Sequence, residues 1–328
     1  MMETLEGAKL CFPQLLNASC RRPTRPRSET YILLSSISVL TVALNLLVII
    51  SISHYRQLHT TTNLLLLSLA VSDLLVGLLV MPVEIVLTGA CWLLGDLLCT
   101  LYYVVEFIIT SASIGNTVLI SVDRYVAICD PLCYPTKVTL RRVKICVCLC
   151  WICSIFYNGL IQKDHLTQPG RYNSCYGECV VVINYISGAV DLVFTFIAPV
   201  TVIVVLYMRV FVVAVSQARA MRSHIVSVTL QPSGTGTAKK SELKAARTLG
   251  VVIAVFLICV FPYYCASLAG QDNLVTASSF AFGIWLFNFN SCLNPVIYAF
   301  FYPWFRKTIK HIVTLKILQP DSCEANIL

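Results

Sequence analysis

Polar and apolar residues separate along this chain into long blocks rather than mixing at short periods. Apolar runs cover about residues 31–54, 62–86, 98–125, 144–162, 182–212, 246–268 and 274–300. A helix crosses a bilayer with roughly 20 apolar residues, so each run is long enough to span. The segments between them are short and polar, and the pattern predicts an all-α membrane protein, a seven-transmembrane helix bundle. After the last run, Arg306, Lys307 and Lys310 alternate with Phe305, Ile309 and Ile312. Over Pro303 to Ile317 this predicts a short amphipathic helix lying on the membrane. The chain divides into an N-terminal segment 1–30, a seven-span domain 31–302, and a helix with a tail at 303–328. Gln231 to Lys240, rich in Ser, Gly and Thr, reads as a flexible loop.

Composition agrees with that division. The chain is 57% hydrophobic and 12% charged, against about 25% charged in soluble domains. Its 16 cysteines do not signal a small disulfide scaffold, because Cys146, Cys148, Cys150 and Cys153 sit inside an apolar run as small apolar residues. The net charge of +8 does not point to nucleic acid, since the bases are scattered through short loops with no aromatic-interleaved stripe. They set topology instead. With the N-terminus outside, 16 of the 24 Lys and Arg residues fall in cytoplasmic segments, including Arg141, Arg142, Lys239, Lys240, Lys244 and Arg247. Arg21, Arg22, Arg25 and Arg27 pull the other way just ahead of the first run. No apolar leader precedes that run, which is expected to act as an uncleaved anchor. Asn17-Ala18-Ser19 is a glycosylation acceptor and requires a lumenal N-terminus.

Several polar or helix-breaking residues recur inside the runs. Asn45 lies in the first, Asp73 in the second, Trp151 in the fourth, Pro199 in the fifth and Pro262 in the sixth. The third ends in Asp123-Arg124-Tyr125, and the seventh in Asn294-Pro295-Val296-Ile297-Tyr298. Together and in this order they resemble the rhodopsin-like G-protein-coupled receptors over essentially the whole chain. The stretch Asn290 to Phe305 is similar to the fingerprint of trace amine-associated receptors, as are Cys11, Asn17 to Cys20, and Cys175-Tyr176-Gly177-Glu178-Cys179. That resemblance implies an olfactory receptor at the plasma membrane. It implies recognition of small volatile or water-borne amines, and signalling through a stimulatory heterotrimeric G protein to cAMP. It also implies disulfides Cys99–Cys179 and Cys20–Cys175, with Cys11 and Cys91 unassigned. Cys323, near a basic helix, is either a palmitoylation site or a free tail thiol.

A carboxylate inside a span is expensive and marks function by default. Asp73, Glu106 and Asp191 lie well inside their runs, while Glu84 is placed at the outer rim of the second, where water reaches it. By resemblance, Asp73 groups with Asn45, Ser113 and Asn294 as a sodium site belonging to the activation switch, with no other cofactor. The same resemblance assigns Asp123, Arg124, Tyr125, Tyr207, Asn294, Pro295 and Tyr298 to that switch. The loops around Tyr134 and Lys244–Arg247 are assigned to the G protein. Glu106 precedes Arg124 by five helical turns, roughly 27 Å, and so faces the same interior near the outer mouth. Asp191 lies about 12 Å outward of Pro199, at a matching depth across the pocket. Two carboxylates facing one cavity repel, and a ligand with two ammonium groups neutralises both. Either both acids contact ligand, which predicts a diamine receptor, or one is protonated or held by a hydroxyl such as Ser187 or Thr195.

Tyr263, Tyr264 and Trp285 are candidate aromatic walls for a cation, whereas Phe107 reads as core packing. Val260 stands where the family usually has Trp, so coupling to the sixth helix is expected through Phe261 or Tyr264. Asn288 stands where many amine receptors have Tyr and is placed to donate to Glu106. Three other classes compete with this reading: a monoamine neurotransmitter receptor, which shares most motifs, a membrane transporter and an enzyme. No repeat or broken midplane helix favours a transporter, and no metal-ligand cluster or nucleophile–base set favours an enzyme.

Overall fold

The computed structural model describes residues 10–12, 14, 19–20, 28–227, 235–269 and 274–327, with side chains over the same ranges except 217–249, 269 and 274–280. Asn17 lies outside the described residues, as do Arg21, Arg22, Arg25 and Arg27. The described chain is helical, and its only β contact is an isolated parallel bridge between Ser19 and Tyr176. Seven long helices form the bundle. They are α1 (Ser28–His54), α2 (Thr61–Leu87), α3 (Asp96–Cys129), α4 (Leu140–Ile161), α5 (Tyr185–Asp191 continuing into Ala198–Ser227), α6 (Thr235–Ala269) and α7 (Leu274–Phe301). A shorter α8 follows at Pro303–Val313. On their described residues, α1 to α4, the outer part of α5 and the apolar part of α6 are long and apolar enough to cross a membrane.

Helix starts follow local chemistry. Thr60 and Thr139 accept the free backbone N–H groups of Asn63 and Arg142 at the heads of α2 and α4. Asn184 does the same for Ser187 at 2.8 Å, opening α5 three residues later than the apolar run begins. Pro303 sits in the first turn of α8, where a missing N–H costs nothing. The expected flexible loop at Gln231 to Lys240 is shorter than read, because α6 already begins at Thr235. Ser and Gly content describes a weak helix former, yet propensity is only a prior once a helix is propagating from a neighbouring span.

Prolines shape the spans. A proline removes one backbone N–H and crowds the carbonyl four residues back. Ahead of Pro82 and Pro199 the helices widen into π turns, Val76–Val80 in α2 and Leu192–Ile197 in α5. In α7 the carbonyl released by Pro295 is that of Ser291, and the Nδ2 of Asn45 donates to it at 3.0 Å. This bond joins α1 to α7 and satisfies a group that hydrocarbon could not.

The bundle buries polar side chains among its core residues and turns large apolar ones outward. Asn45, Asp73, Asn116 and Asn158 have no exposed surface, whereas Phe156 is 69% exposed and Ile258 66%. Such an apolar exterior belongs in lipid. Trp151 donates to Ser68 at 3.2 Å and Asn158 to Ser111 at 2.9 Å, fixing α4 to α2 and α3. At the cytoplasmic end, Trp304, Phe305 and Thr308 of α8 are buried, and Thr308 meets Ser51 of α1 at 2.8 Å. The tail turns back here: Ile327 is fully buried, and Glu324 pairs with Arg56 at 2.9 Å.

Close approach of α6 and α7 depends on Gly283, where a Cβ would lie 2.9 Å from the Tyr263 Cα beside Pro262. Backbone cannot give way as a side chain can. Gly283→Ala is therefore expected to destabilise the bundle by about 1–3 kcal/mol, read as a lower melting temperature of the detergent-solubilised protein. An unchanged melting temperature would show that the two helices separate freely there.

Candidate ligand cavity and cytoplasmic switch

Between the outer ends of α2, α3, α5, α6 and α7 lies a cavity of about 760 Å³, within the size range of small-molecule sites. Glu106, Asp191, Thr195, Tyr263, Tyr264, Trp285 and Asn288, all singled out from sequence, line it. Four carboxylates, Glu84, Glu106, Glu178 and Asp191, face this space, and no basic side chain is among its described lining residues.

Glu106 projects from α3 and its Oε2 is buried without a hydrogen-bond partner. Asn288 of α7 is 4% exposed, and its Nδ2 is likewise unpartnered. The expected Asn288–Glu106 bond is thus not formed. Donor and acceptor both line the cavity unsatisfied, an arrangement that costs about 1–3 kcal/mol per group unless a ligand or water answers it. Asp191 is held differently. Tyr157 of α4 donates to its Oδ1 at 3.2 Å, and the Thr195 hydroxyl lies 3.4 Å from its Oδ2 and donates to the Asp191 backbone carbonyl at 2.6 Å. At Ser187 the backbone N–H donates to Asn184 Oδ1 at the α5 cap. Thr195, four residues after Asp191, bonds back to it as a helical hydroxyl does and also meets the Tyr264 hydroxyl at 3.0 Å.

Aromatic walls differ in availability. Tyr264 stacks on Phe196 with centroids 4.2 Å apart, so one ring face is already covered. Tyr263 meets Tyr264 edge-on at 5.0 Å and Phe287 at 5.8 Å. Phe107, read as core packing, lines the cavity. It follows Glu106 on α3, and the cavity is wide enough at this level to reach both. Phe261, one of two expected couplings to α6, is 59% exposed on the outer surface. Tyr264 is the other, and it is buried with Val260, Phe256, Ile114 and Ile203 in one cluster beneath the cavity. Val260, 1% exposed, fills the space with less bulk than an indole.

Three disulfides close the outer end. Cys99–Cys179 and Cys20–Cys175 are both formed, and Cys11, unassigned from sequence, pairs with Cys91. Cys11 N–H donates to the Cys20 carbonyl and Cys20 N–H to that of Tyr176, so the N-terminal strap lies on the loop after α4. Gly177 has a φ of 99°, and a Cβ there would strike Cys11 at 2.9 Å. Spacing could not give the third pairing, because cysteine connectivity is a property of the folded loops.

Two further polar clusters lie below. In the mid-bundle, Asn294 Nδ2 donates to Asp73 Oδ2 at 2.8 Å, while Asp73 Oδ1, Asn45 Oδ1, Asn294 Oδ1 and both side-chain atoms of Asn116 are buried without partners. Ser113 is buried on the adjoining face of α3. At the cytoplasmic end, Arg124 Nε donates to its neighbour Asp123 at 3.0 Å. Thr62 donates to the same carboxylate at 3.0 Å and accepts from Arg124, and Tyr134 donates to Asp123 Oδ1 at 2.8 Å. Arg124 is held inside its own helix end, while the buried hydroxyls of Tyr207 and Tyr298 stand unpartnered. Tyr125 packs instead against Ile128 and Val210. Beyond the helix end, Asp130 is held below the usual carboxylate range by the hydrogen bond from Lys137. The side chains of Lys244–Arg247 lie outside those described.

An outer cavity, a buried polar middle and a latched cytoplasmic arginine, carried on a bundle of long apolar helices, are the arrangement of a multi-pass membrane receptor. Residues 44–298 match the family described as 7 transmembrane receptor (rhodopsin family). The chain is 39% identical to trace amine-associated receptor 13c of Danio rerio, over 98% of its own length and 97% of the relative. It is 37% identical to trace amine-associated receptor 6 of Homo sapiens, over 98% and 96%, and 36% to trace amine-associated receptor 1 of Mus musculus, over 92% and 93%. The chain belongs to the trace amine-associated receptors of the rhodopsin-like class.

Removing the Thr62 hydroxyl tests the latch. Thr62→Val leaves Arg124 and Asp123 one shared partner short, and is expected to raise ligand-independent signalling relative to surface expression by about two- to tenfold. Basal signalling at the unmodified level would show that Asp123 alone holds Arg124.

Proposed function

We propose that the protein is an olfactory-type receptor for small volatile or water-borne amines, with diamines preferred, signalling through a stimulatory G protein to cAMP. The observation that carries this reading is the buried, unpartnered Glu106 Oε2, on a residue that lines the same cavity as Asp191, whose described lining has four acids and no base. A cation answers that imbalance, and two ammonium groups answer it at both ends. Trp285 and Tyr263 line the cavity and are the aromatic candidates for contact with the chain between them. The relatives' names, trace amine-associated receptors, point the same way.

The receptor sits in the plasma membrane with its N-terminus outside. The cysteine pairs at the N-terminal end support this, since such bonds persist in oxidising compartments, and so does the basic bias of the other face. Asp73 with Asn45, Ser113 and Asn294 fits a sodium ion, because the orphaned oxygens there are the hard donors such a cation takes. Bound, the ion would supply positive charge that stabilises the resting packing. An amine that binds the active arrangement better shifts the population toward it. Repacking around Val260 and Phe256 then frees Arg124 from Asp123, and Tyr207 and Tyr298 turn their hydroxyls to it. The inner end of α6 moves out and opens a cleft for the G protein beside Tyr134.

A second reading, a monoamine receptor, draws on Asp191 already having Tyr157 and Thr195 as hydroxyl partners. One experiment separates them. Monoamines and α,ω-diamines of matched length are compared by cAMP accumulation on the unmodified receptor, Glu106→Gln and Asp191→Asn. Diamines are expected to be the more potent, with each neutralised acid costing about tenfold or more. Equal potency with an indifferent Asp191→Asn would assign Asp191 to structure and favour the monoamine reading. Silence toward every amine at normal surface expression would overturn amine recognition.

A further inference from the structure

Beyond α8 the chain turns back on itself and meets the first cytoplasmic loop, Arg56–Leu58, between α1 and α2. Leu315, with φ 56°, and Asp321, with φ 60°, make its turns in the left-handed region. Residues with a side chain adopt that conformation mainly where surrounding contacts hold them. Residues 322–327 then touch the loop at several points. The Ser322 hydroxyl lies 2.9 Å from His54 Nε2 and donates to the Ile317 carbonyl at 2.7 Å. Gln57 holds the tail backbone twice: its Nε2 donates to the Glu324 carbonyl at 3.4 Å, and its Oε1 accepts the Ile327 N–H at 3.2 Å. The Glu324–Arg56 pair is largely exposed and adds little. Ile327 adds more, because its fully buried side chain packs in one cluster with Tyr55, Leu58 and Tyr298.

The loop that receives the tail also presents the arginine latch. The Leu58 carbonyl accepts the Nδ2 of Asn63 at 2.9 Å, which ties the loop to the first turn of α2. Thr61 and Thr62 lie in that turn. Thr61 meets the Tyr134 hydroxyl at 3.0 Å, and Thr62 donates to Asp123 at 3.0 Å and accepts from Arg124. On the other side, Ile327 shares its cluster with Tyr298, whose hydroxyl is unpartnered while Arg124 is latched.

We infer that residues 322–327 form an autoinhibitory clasp, which docks on the first cytoplasmic loop and holds the head of α2 and the Tyr298 cluster in the resting arrangement. The inference rests on reading Arg124, Asp123 and Thr62 as a resting latch, and it is independent of which amine binds. Tyr298 cannot turn toward Arg124 without repacking the cluster that seats Ile327. Docking of the tail and closure of the latch therefore favour one another, and such coupling is reciprocal. Lifting the tail eases the latch, and opening the latch loosens the tail.

The test uses the full-length receptor without ligand and two readouts. Docking is read as hydrogen exchange of the backbone amides of residues 57–64 in purified protein. Inhibition is read as ligand-independent signalling per receptor at the cell surface, with a reporter for each G-protein class. Ile327→Asp puts a charge where the cluster is apolar, and should speed that exchange about tenfold or more and raise basal signalling about two- to fivefold. Ile327→Val, which keeps an aliphatic side chain in the seat, should stay within about twofold of the unmodified receptor on both. Added to Thr62→Val, Ile327→Asp should raise basal signalling by less than a further twofold or so, because both act on one latch. Unchanged exchange in Ile327→Asp would overturn docking of the tail. Faster exchange with unchanged signalling would overturn its inhibitory role, and so would effects that multiply in full in the double variant. A rise from Ile327→Asp with Thr62→Val silent would overturn the latch reading instead, and leave the clasp acting through Tyr298.

Discussion

Water cannot enter the hydrocarbon layer to satisfy a stray polar group, so every backbone or side-chain dipole in the spans must find its partner inside the bundle. Much of the architecture answers this requirement. Proline in α7 strips the Ser291 carbonyl of its helical donor, and Asn45 reaches across from α1 to supply another. Trp151 and Asn158 tie an otherwise lipid-bathed α4 to its neighbours with one hydrogen bond each to Ser68 and Ser111. Polar atoms that stay unanswered are concentrated around Asp73, in the outer cavity and near Arg124. They are the places where a ligand, an ion or a rearrangement can release free energy.

The three clusters are mechanically in series. Tyr264 touches Thr195 at the cavity floor and shares a packed cluster with Phe256, Val260 and Ile203. Tyr207 packs against that cluster and also against the lower core that contains Tyr298. A shift of α6 at the cavity is therefore felt by the groups that face Arg124 without any long-range field. Dense packing transmits small displacements because it has few intermediate arrangements.

Much of this was legible in the sequence, for reasons that can be named. Spans announce themselves because lipid demands long apolar runs, and Glu106 and Asp191 because hydrocarbon makes unneeded charge costly. What escaped was what depends on the neighbouring helix. Glu84 reads from sequence as a rim residue within reach of water, and the structure puts it in the cavity wall. Tyr157 reaches Asp191 from α4, and no spacing within α5 could disclose it. Phe107 and Phe261 are aromatic residues in apolar runs, and only the helix rotations send the first to the cavity and the second to lipid. Cys11 and Cys91 are 80 residues apart and meet through loop geometry alone.

The lining of that cavity has a consequence beyond which amine fits. Carboxylates with no base among the described lining residues make the mouth a small ion-exchange site, which concentrates cations of every kind from the surrounding fluid. Dissolved salt both screens the attraction and competes for the same oxygens, and screening strengthens as the Debye length falls from about 30 Å in dilute water to about 8 Å at physiological ionic strength. A receptor built this way reports amine relative to background electrolyte, so its working range is set partly by the salinity of the medium that bathes it.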